Sequence, residues 1–445
     1  MQCFISILLF VLVMLIEPLQ SHAGYFSYLQ PTLSIGEEYT DNVDRDPDNA
    51  RRSDFISTIS PGLTWDLRAR RAGLNLSYNP SFEYYVKNEE DTTIRQELSL
   101  GAWSEVSFSR QCNLMLRETL VRSEEQYAVN GPTFKRDPEH PVFSEDETLR
   151  RNQDPYYTNT ADARLTYQFG PDDSVFLSYQ NGVLQNEDPE SQDSIRHVAS
   201  AGATYWFDVQ DGMSVTSSYT KGDFSGGSTD DSSSSSDAIN QLQSTLQWTH
   251  KFTPHWDGFL QYAHSYTDQK GGESDYQVHH GSIGVDCNVS ETTFYSLSAG
   301  YFVRDEKDAQ AESGYSIDGD FSRQFQHWSV RLAGGIGYEE TFFGAENLGF
   351  TKYKRVSIDV LRSLSRRMSG SIVGSYMKNT YADSEDRQDD IITVSGGLSY
   401  TFLPWLMGNL RLMHRSVSST LPEDEYDENT VFFGLTLTPR PIRFD

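Results

Sequence analysis

The feature that most constrains this chain is a period of two, repeated in long segments from about residue 30 to the C-terminal end. In Leu74-Asn75-Leu76-Ser77-Tyr78-Asn79-Pro80-Ser81-Phe82 one face is Leu74, Leu76, Tyr78, Pro80 and Phe82, and the other is Asn75, Ser77, Asn79 and Ser81. Leu406, Gly408, Leu410 and Leu412 alternate in the same way with Met407, Asn409, Arg411 and Met413. Successive side chains of a strand point to opposite faces, so the pattern predicts strands with one apolar and one polar side. These segments run to about 10 to 16 residues. Soluble sheets use five or six, whereas a tilted strand crossing a bilayer needs about ten.

The connections sharpen this. Short ones fall near Arg68–Ala72, Ser109–Cys112, Gly170–Ser174, Asp208–Met213, Phe252–His255, Ser290–Thr293, Gln324–Trp328, Ser365–Met368 and Leu403–Trp405. Long ones alternate with them, near 41–54, 88–93, 123–154, 187–193, 221–237, 268–275, 304–313, 339–347, 378–390 and 421–429. Nine turns and ten loops make ten hairpins. The predicted fold is an all-β, transmembrane, antiparallel up-and-down β-barrel of about 20 strands, with 18 or 22 as the neighbouring counts, and both termini on the short-turn, periplasmic side. A period of two excludes a helical repeat. A β-solenoid would repeat at shorter intervals, and a propeller blade would hold four short strands where each unit here holds two long ones.

Charge sorts with the loops. The chain carries a formal charge of −28, and the ten long connections together are more negative than that, so the remainder is net positive. The excess acid is therefore expected at one rim. A mean hydropathy of −0.56 excludes a helical membrane protein but not a barrel, in which only alternate residues face lipid. Twenty-five Tyr, 25 Phe and seven Trp suit aromatic girdles at the two interfaces. So acidic a chain is expected to have no nucleic-acid partner. The apolar run Phe4–Ile16, followed by Ser21-His22-Ala23, reads as a signal peptide over 1–23 cleaved after Ala23, although its n-region has no Lys or Arg; residues 24–445 are then the barrel. Cleavage would remove Cys3 and leave Cys112 and Cys287 as wall residues.

Three pieces, Gly36-Glu37-Glu38-Tyr39-Thr40-Asp41-Asn42-Val43, Asp54–Leu63 and Leu76–Tyr85, resemble a group of bacterial outer-membrane β-barrel porins associated with exopolysaccharide biosynthesis and export loci. The resemblance is sharpest over residues 30 to 100 and architectural beyond. It implies the outer membrane of a Gram-negative bacterium and a link to cell-surface polysaccharide. It brings no catalytic residues.

Strand alternation turns Trp103, Glu105, Arg117, Arg164, Arg331, Arg355, Asp359 and Arg411 towards the barrel interior. Arginines and carboxylates facing each other across a water-filled lumen can set selectivity, and an inward Trp can stack on a sugar ring; the same residues could equally be salt-bridged wall. Asp44, Asp46 and Asp48 open like a calcium loop, but Asn49 and Phe55 stand where Gly and Glu belong. Calcium or magnesium held loosely across the acidic loops, bridging them to lipopolysaccharide, is the more economical expectation, beside plain solvated loops. Ser232–Ser236 reads as a flexible loop tip. Gly334-Gly335-Ile336-Gly337 lies in a strand and is no nucleotide loop, and His279 and His280 point to opposite faces, so they form no ligand pair. With no G-x-S-x-G or H-E-x-x-H motif, the chain is not expected to be an enzyme. Two functions remain: a pore or export conduit, for small solutes or a polysaccharide, and a plugged surface scaffold or adhesin with 123–154 as plug or binding element.

Overall fold

In a computed structural model of the chain, residues 26–124, 155–188, 191–225, 238–270, 275–307, 310–343, 349–382 and 387–444 are described. The signal peptide expected over 1–23, most of the loop 123–154 and the serine run 232–236 lie outside them. The described residues form one antiparallel sheet of twenty long strands, each paired with its neighbours in sequence and closed on itself. Strand β1 (Phe26–Thr40) pairs with β2 (Asp54–Arg68) on one side and with β20 (Tyr426–Leu437) on the other. Closure removes the free edges that a membrane cannot tolerate. Pro439 and Pro441 have no N–H to give the ladder and break the last strand. Gln30 spans the break by donating from Nε2 to Pro439 O at 2.7 Å, and a short β21 (Ile442–Phe444) resumes pairing with Ser27–Leu29.

The nine short turns fall where the sequence places them, and both ends of the barrel sheet lie on their side. Local chemistry makes them tight. Asp208 accepts the backbone N–H groups of Gln210 and Asp211 at 2.7 and 2.8 Å, and these donors hold its carboxyl below the usual carboxylate range.

The period of two becomes an outer and an inner face. Ile283 is 64% exposed and Leu177 60%, values that only a lipid solvent makes economical for aliphatic side chains. Rings gather near the short turns: Tyr167, Phe169, Tyr205 and Phe207 follow one another at 5.2 to 6.4 Å, and Phe325 stacks on Trp328 at 4.0 Å. Towards the other end, outward Tyr179 and Tyr262 each hydrogen-bond a histidine, His197 and His279, at 2.8 Å. An apolar belt between two amphipathic girdles is the signature of a spanning barrel.

One departure from a regular wall decides the rest. Strand β14 (Glu312–Gln324) pairs with β13 (Thr293–Glu306) from Glu312 to Arg323, yet with β15 (Trp328–Thr341) only from Ile317 onward, where Ile317 faces Ile336. Above Ile336, β15 stays paired with β16 (Gly349–Ser363) up to Thr341 opposite Gly349. Above Ile336 the edge of β15 therefore leaves β14 and curls into the lumen, while β16 stays paired with β17 (Met368–Tyr381) from Thr351 to Ser363. The seam parts just beyond the paired Gly334-Gly335-Ile336, at Gly337. A Cβ on Gly335 would lie 2.3 Å from the Asp318 carboxylate, so a side chain there would displace that carboxylate. Tyr315, at the parted edge, is 74% exposed. The expectation of an outer loop at 339–347 is corrected for its described part, 339–343: Glu339 and Glu340 belong to β15 and lie inside, because an aromatic surface on the inner wall offers them more burial than the rim does, while 344–347 lie outside the described residues.

The two faces predict opposite tolerances. Leu177→Arg places a cation against lipid at a cost of about 2–4 kcal/mol, whereas Ser178→Arg, one residue on and inward, is nearly neutral. Urea titration of the barrel refolded into lipid checks this, and equal losses would reverse the assignment of faces.

Candidate functional site

The inward hairpin is anchored by the barrel's largest apolar cluster, and it lies where a water-filled lumen would be polar. Phe342 and Phe350 from the hairpin pack with Phe224 of β9 (Asp211–Ser225), Ile239 of β10 (Ala238–Thr253), Tyr276 and Val278 of β12 (Tyr276–Ser290) and Phe302 of β13. Phe350 is fully buried, and Tyr338 stands over it at 5.3 Å and against Phe302 at 4.6 Å. Arg304 caps Tyr276 and Phe350 at 4.4 and 4.7 Å from their ring centres. At the tip, Phe343 stacks on Phe224 at 5.3 Å, and Arg196 of β8 (Asp193–Trp206) lies 5.2 Å from its ring. The hairpin thus reaches wall strands far from its own seam.

Between hairpin and wall lies a cavity of about 320 Å³. Its lining carries three carboxylates, Asp318, Glu339 and Glu340, together with His280, Gln243 and Ser316. Each has an anchor. Tyr353 donates its hydroxyl to Asp318 at 3.1 Å, Arg355 meets Glu339 at 3.4 Å, and His280 Nε2 meets Ser316 Oγ at 2.7 Å. Half-buried Glu340 accepts from Thr267 of β11 (Trp256–Lys270) at 3.2 Å. Lys352 pairs with Glu312 on the unpaired end of β14. The arrangement gathers carboxylates, each with a donor, between the hairpin and the wall.

The inward candidates read from the sequence lie on the lumen side, but in separate groups. Trp103 of β4 (Thr93–Ser107) lies over Gly73 and opposite Arg117 of β5 (Cys112–Ser123), which faces Asp162 of β6 (Tyr156–Gln168) in register; Glu105 shares their face, and Arg164 stacks on Phe176 at 3.9 Å. Arg331 binds Asp320 at 2.7 Å and faces Asp359 in register, next to Arg355 over the Tyr353 ring at 4.0 Å. Arg411 of β19 (Leu406–Ser419) approaches Glu38 at 3.9 Å and the Phe432 ring at 5.6 Å. Only Arg355 belongs to the hairpin site. Its other members, His280, Asp318, Tyr338, Glu340 and Tyr353, were missed, since nothing local shows that β15 folds inward. The run of three glycines was the available signal.

In the first loop and where it meets the last, arginines occupy several of the rim acids. Asp44 binds Arg52 at 2.6 Å, Asp48 binds Arg51 at 3.0 Å, and the Asp46 backbone is engaged in both directions by the Asn42 amide. The calcium-like order of Asp44, Asp46 and Asp48 is therefore spent on cross-links within the loop. Among the described residues no three His, Cys, Asp or Glu groups gather at metal-binding distance. Hydrogen bonding to Asp44 pushes Arg52 further above its already high value. Arg45, with φ of 58°, reaches across the closing seam to Glu428 at 3.1 Å, and Arg51 reaches Asp427 at 3.3 Å. These bonds tie the first loop to the last.

Residues 297–438 match the model of the family described as "Putative beta-barrel porin 2". The match runs from within β13 to the end of β20 and includes the hairpin, not the residues 30–100 where the resemblance in sequence is sharpest. Among solved structures the chain is similar to the FrpB iron transporter of Neisseria meningitidis in its apoprotein form, at 10% identity over 93% of this chain and 81% of that one, with a TM-score of 0.51. It is also similar to a variant of the ferric enterobactin receptor PfeA of Pseudomonas aeruginosa in complex with enterobactin, at 8% identity over 94% and 82% of the two chains, with a TM-score of 0.50. At such identities these likenesses speak to fold alone. A comparison with curated proteins gives no match. The chain is an outer-membrane β-barrel. The barrel's apolar belt, closed ladder and porin-type segment place it in the outer membrane of a Gram-negative cell.

Docking of the hairpin depends on its aromatic anchor. Phe350→Ala removes about 3–5 kcal/mol of packing from that contact and leaves the wall ladder intact. Hydrogen exchange of the refolded barrel is expected to quicken at the amides of Gly337–Thr341 and stay unchanged in β17 (Met368–Tyr381); unchanged exchange at both would show that the ring does not hold the hairpin.

Proposed function

We propose that the barrel is a passive pore for small solutes, that the β15–β16 hairpin sets its narrowest passage, and that it prefers cations at low salt. The observation that supports this is a carboxylate-bearing hairpin folded inside a barrel of twenty strands. Sixteen to eighteen strands already enclose an aqueous channel, so a barrel of this size needs an internal element to select what passes. Glu339, Glu340 and Asp318 supply negative potential at the narrowing, and the acidic loops extend it outward. The groups Trp103–Arg117–Asp162, Arg331–Asp320–Asp359 and Arg411–Glu38 line the path below as a mixed wall.

The hairpin also bears on cargo. A polysaccharide would have to thread continuously past it, and a polyanionic one would meet carboxylates on the way. A small neutral or cationic solute avoids both obstacles and fits the cavity. We assign no catalysis and no resident metal; loosely held calcium or magnesium at the loops belongs to this proposal only as a counterion.

Planar-bilayer recording tests the reading. A cation-to-anion permeability ratio well above one near ~0.1 M salt is expected to fall towards one near ~1 M, as the screening length shrinks from about 10 Å to about 3 Å. Equal permeability at low salt would remove the electrostatic account. A correctly folded barrel that never conducts would replace the pore by a plugged scaffold.

A further inference from the structure

We infer that the β15–β16 hairpin is a two-position gate: docked inside as described, and alternatively zipped onto the unpaired end of β14, where it completes the wall and clears the lumen. Three observations support it. First, the β14 residues Glu312–Ser316 are paired with β13 but lack a partner strand on the β15 side, although β15 stays paired with β16 and β16 with β17 from Thr351 onward, so that only the β14–β15 seam need open and close. Second, Gly334 and Gly335 close the paired part of the seam and Gly337 is the first residue beyond Ile336, so the strand bends where it carries the fewest side chains to resist.

Third, the alternation within the hairpin suits both positions. Continuing the register of Ile317 with Ile336 sets Tyr338 opposite Tyr315 and Glu340 opposite Ser313. In that register Tyr338 would follow Ile336 on the outer face and join Tyr301 and Tyr315, whose rings already lie 5.4 Å apart in the upper girdle. Glu340 would emerge above it into water. Docked, the same face supplies Tyr338 to Phe302 and Glu340 to Thr267. A strand whose one face fits two partners is the element that a two-state switch needs. The cavity exists only in the docked position, because its walls come from the hairpin and from β10, β12 and β14 together. A solute held there would favour the docked form.

Disulfide trapping in a Cys112→Ser/Cys287→Ser barrel, refolded into lipid and treated with diamide, tests the gate without depending on conduction. The pair Thr267→Cys/Glu340→Cys reports the docked position, and Ser313→Cys/Glu340→Cys reports the zipped one. Val303→Cys/Ser313→Cys, directly paired in the wall, confirms that position 313 can be oxidised. All three pairs are expected to cross-link, the zipped reporter more slowly than the docked one, as read by mass spectrometry of the linked peptides. Where the barrel conducts, the zipped lock should raise conductance severalfold over the docked lock, reversibly with reductant. If the zipped pair stays reduced while the wall pair oxidises, the gate is wrong and the hairpin is a fixed constriction. If the docked pair stays reduced, the internal position itself is wrong. Silence in the bilayer with both locks formed would reject the pore but not the gate.

Discussion

Every backbone N–H and C=O within a bilayer must find a partner in the protein, and that one constraint organises this barrel. It forces twenty strands into a closed ladder, and it explains the repair at the seam, where Gln30 answers the carbonyl of Pro439 in a strand that two prolines have broken. It also fixes where the ladder can fail. The seam between β14 and β15 parts above Ile317 and Ile336, at the level of the Tyr301–Tyr315 girdle, where water can reach the unpaired edge. Lower down, in hydrocarbon, the same opening would leave backbone groups unsatisfied.

The parted seam brings the top of β15 from the wall into the barrel interior. The free energy comes from the aromatic cluster around Phe350, Phe302 and Tyr276, an apolar patch that would otherwise face the aqueous lumen. The electrostatic consequence is that Glu339 and Glu340 lie beside the inner wall; in the proposed pore, low-dielectric walls would focus their field there. The rim itself is less free than its composition suggests. Arg45 and Arg51 fasten the first loop to the last, and Arg52 holds Asp44 within the first loop and Asp91 in the second.

Much of this fold was legible because its code is local. Alternation shows in residues 74–82 without reference to anything distant, and short turns such as Asp208–Met213 carry their own hydrogen-bonding chemistry. The inward hairpin was not legible. Its alternation is that of an ordinary wall strand, and the partners that draw it inside, Phe224, Tyr276 and Phe302, are spread over β9 to β13. The inward orientation of Arg331 and Arg411 could be read from parity, but their partners Asp320 and Glu38 depend on register and closure. Asp44, Asp46 and Asp48 show the reverse case, a recognisable spacing in which arginines a few residues away take the carboxylates of Asp44 and Asp48 and Asn42 holds the Asp46 backbone.

The account depends most on the resting position of the hairpin. A density map of the barrel in a lipid nanodisc, sharp enough to show side chains, tests it directly. It should place the Phe350 ring inside the lumen between Tyr276, Phe302 and Tyr338, with β14 and β15 separated above Ile336. A β14–β15 ladder unbroken to Thr341, with the lumen empty, would contradict it.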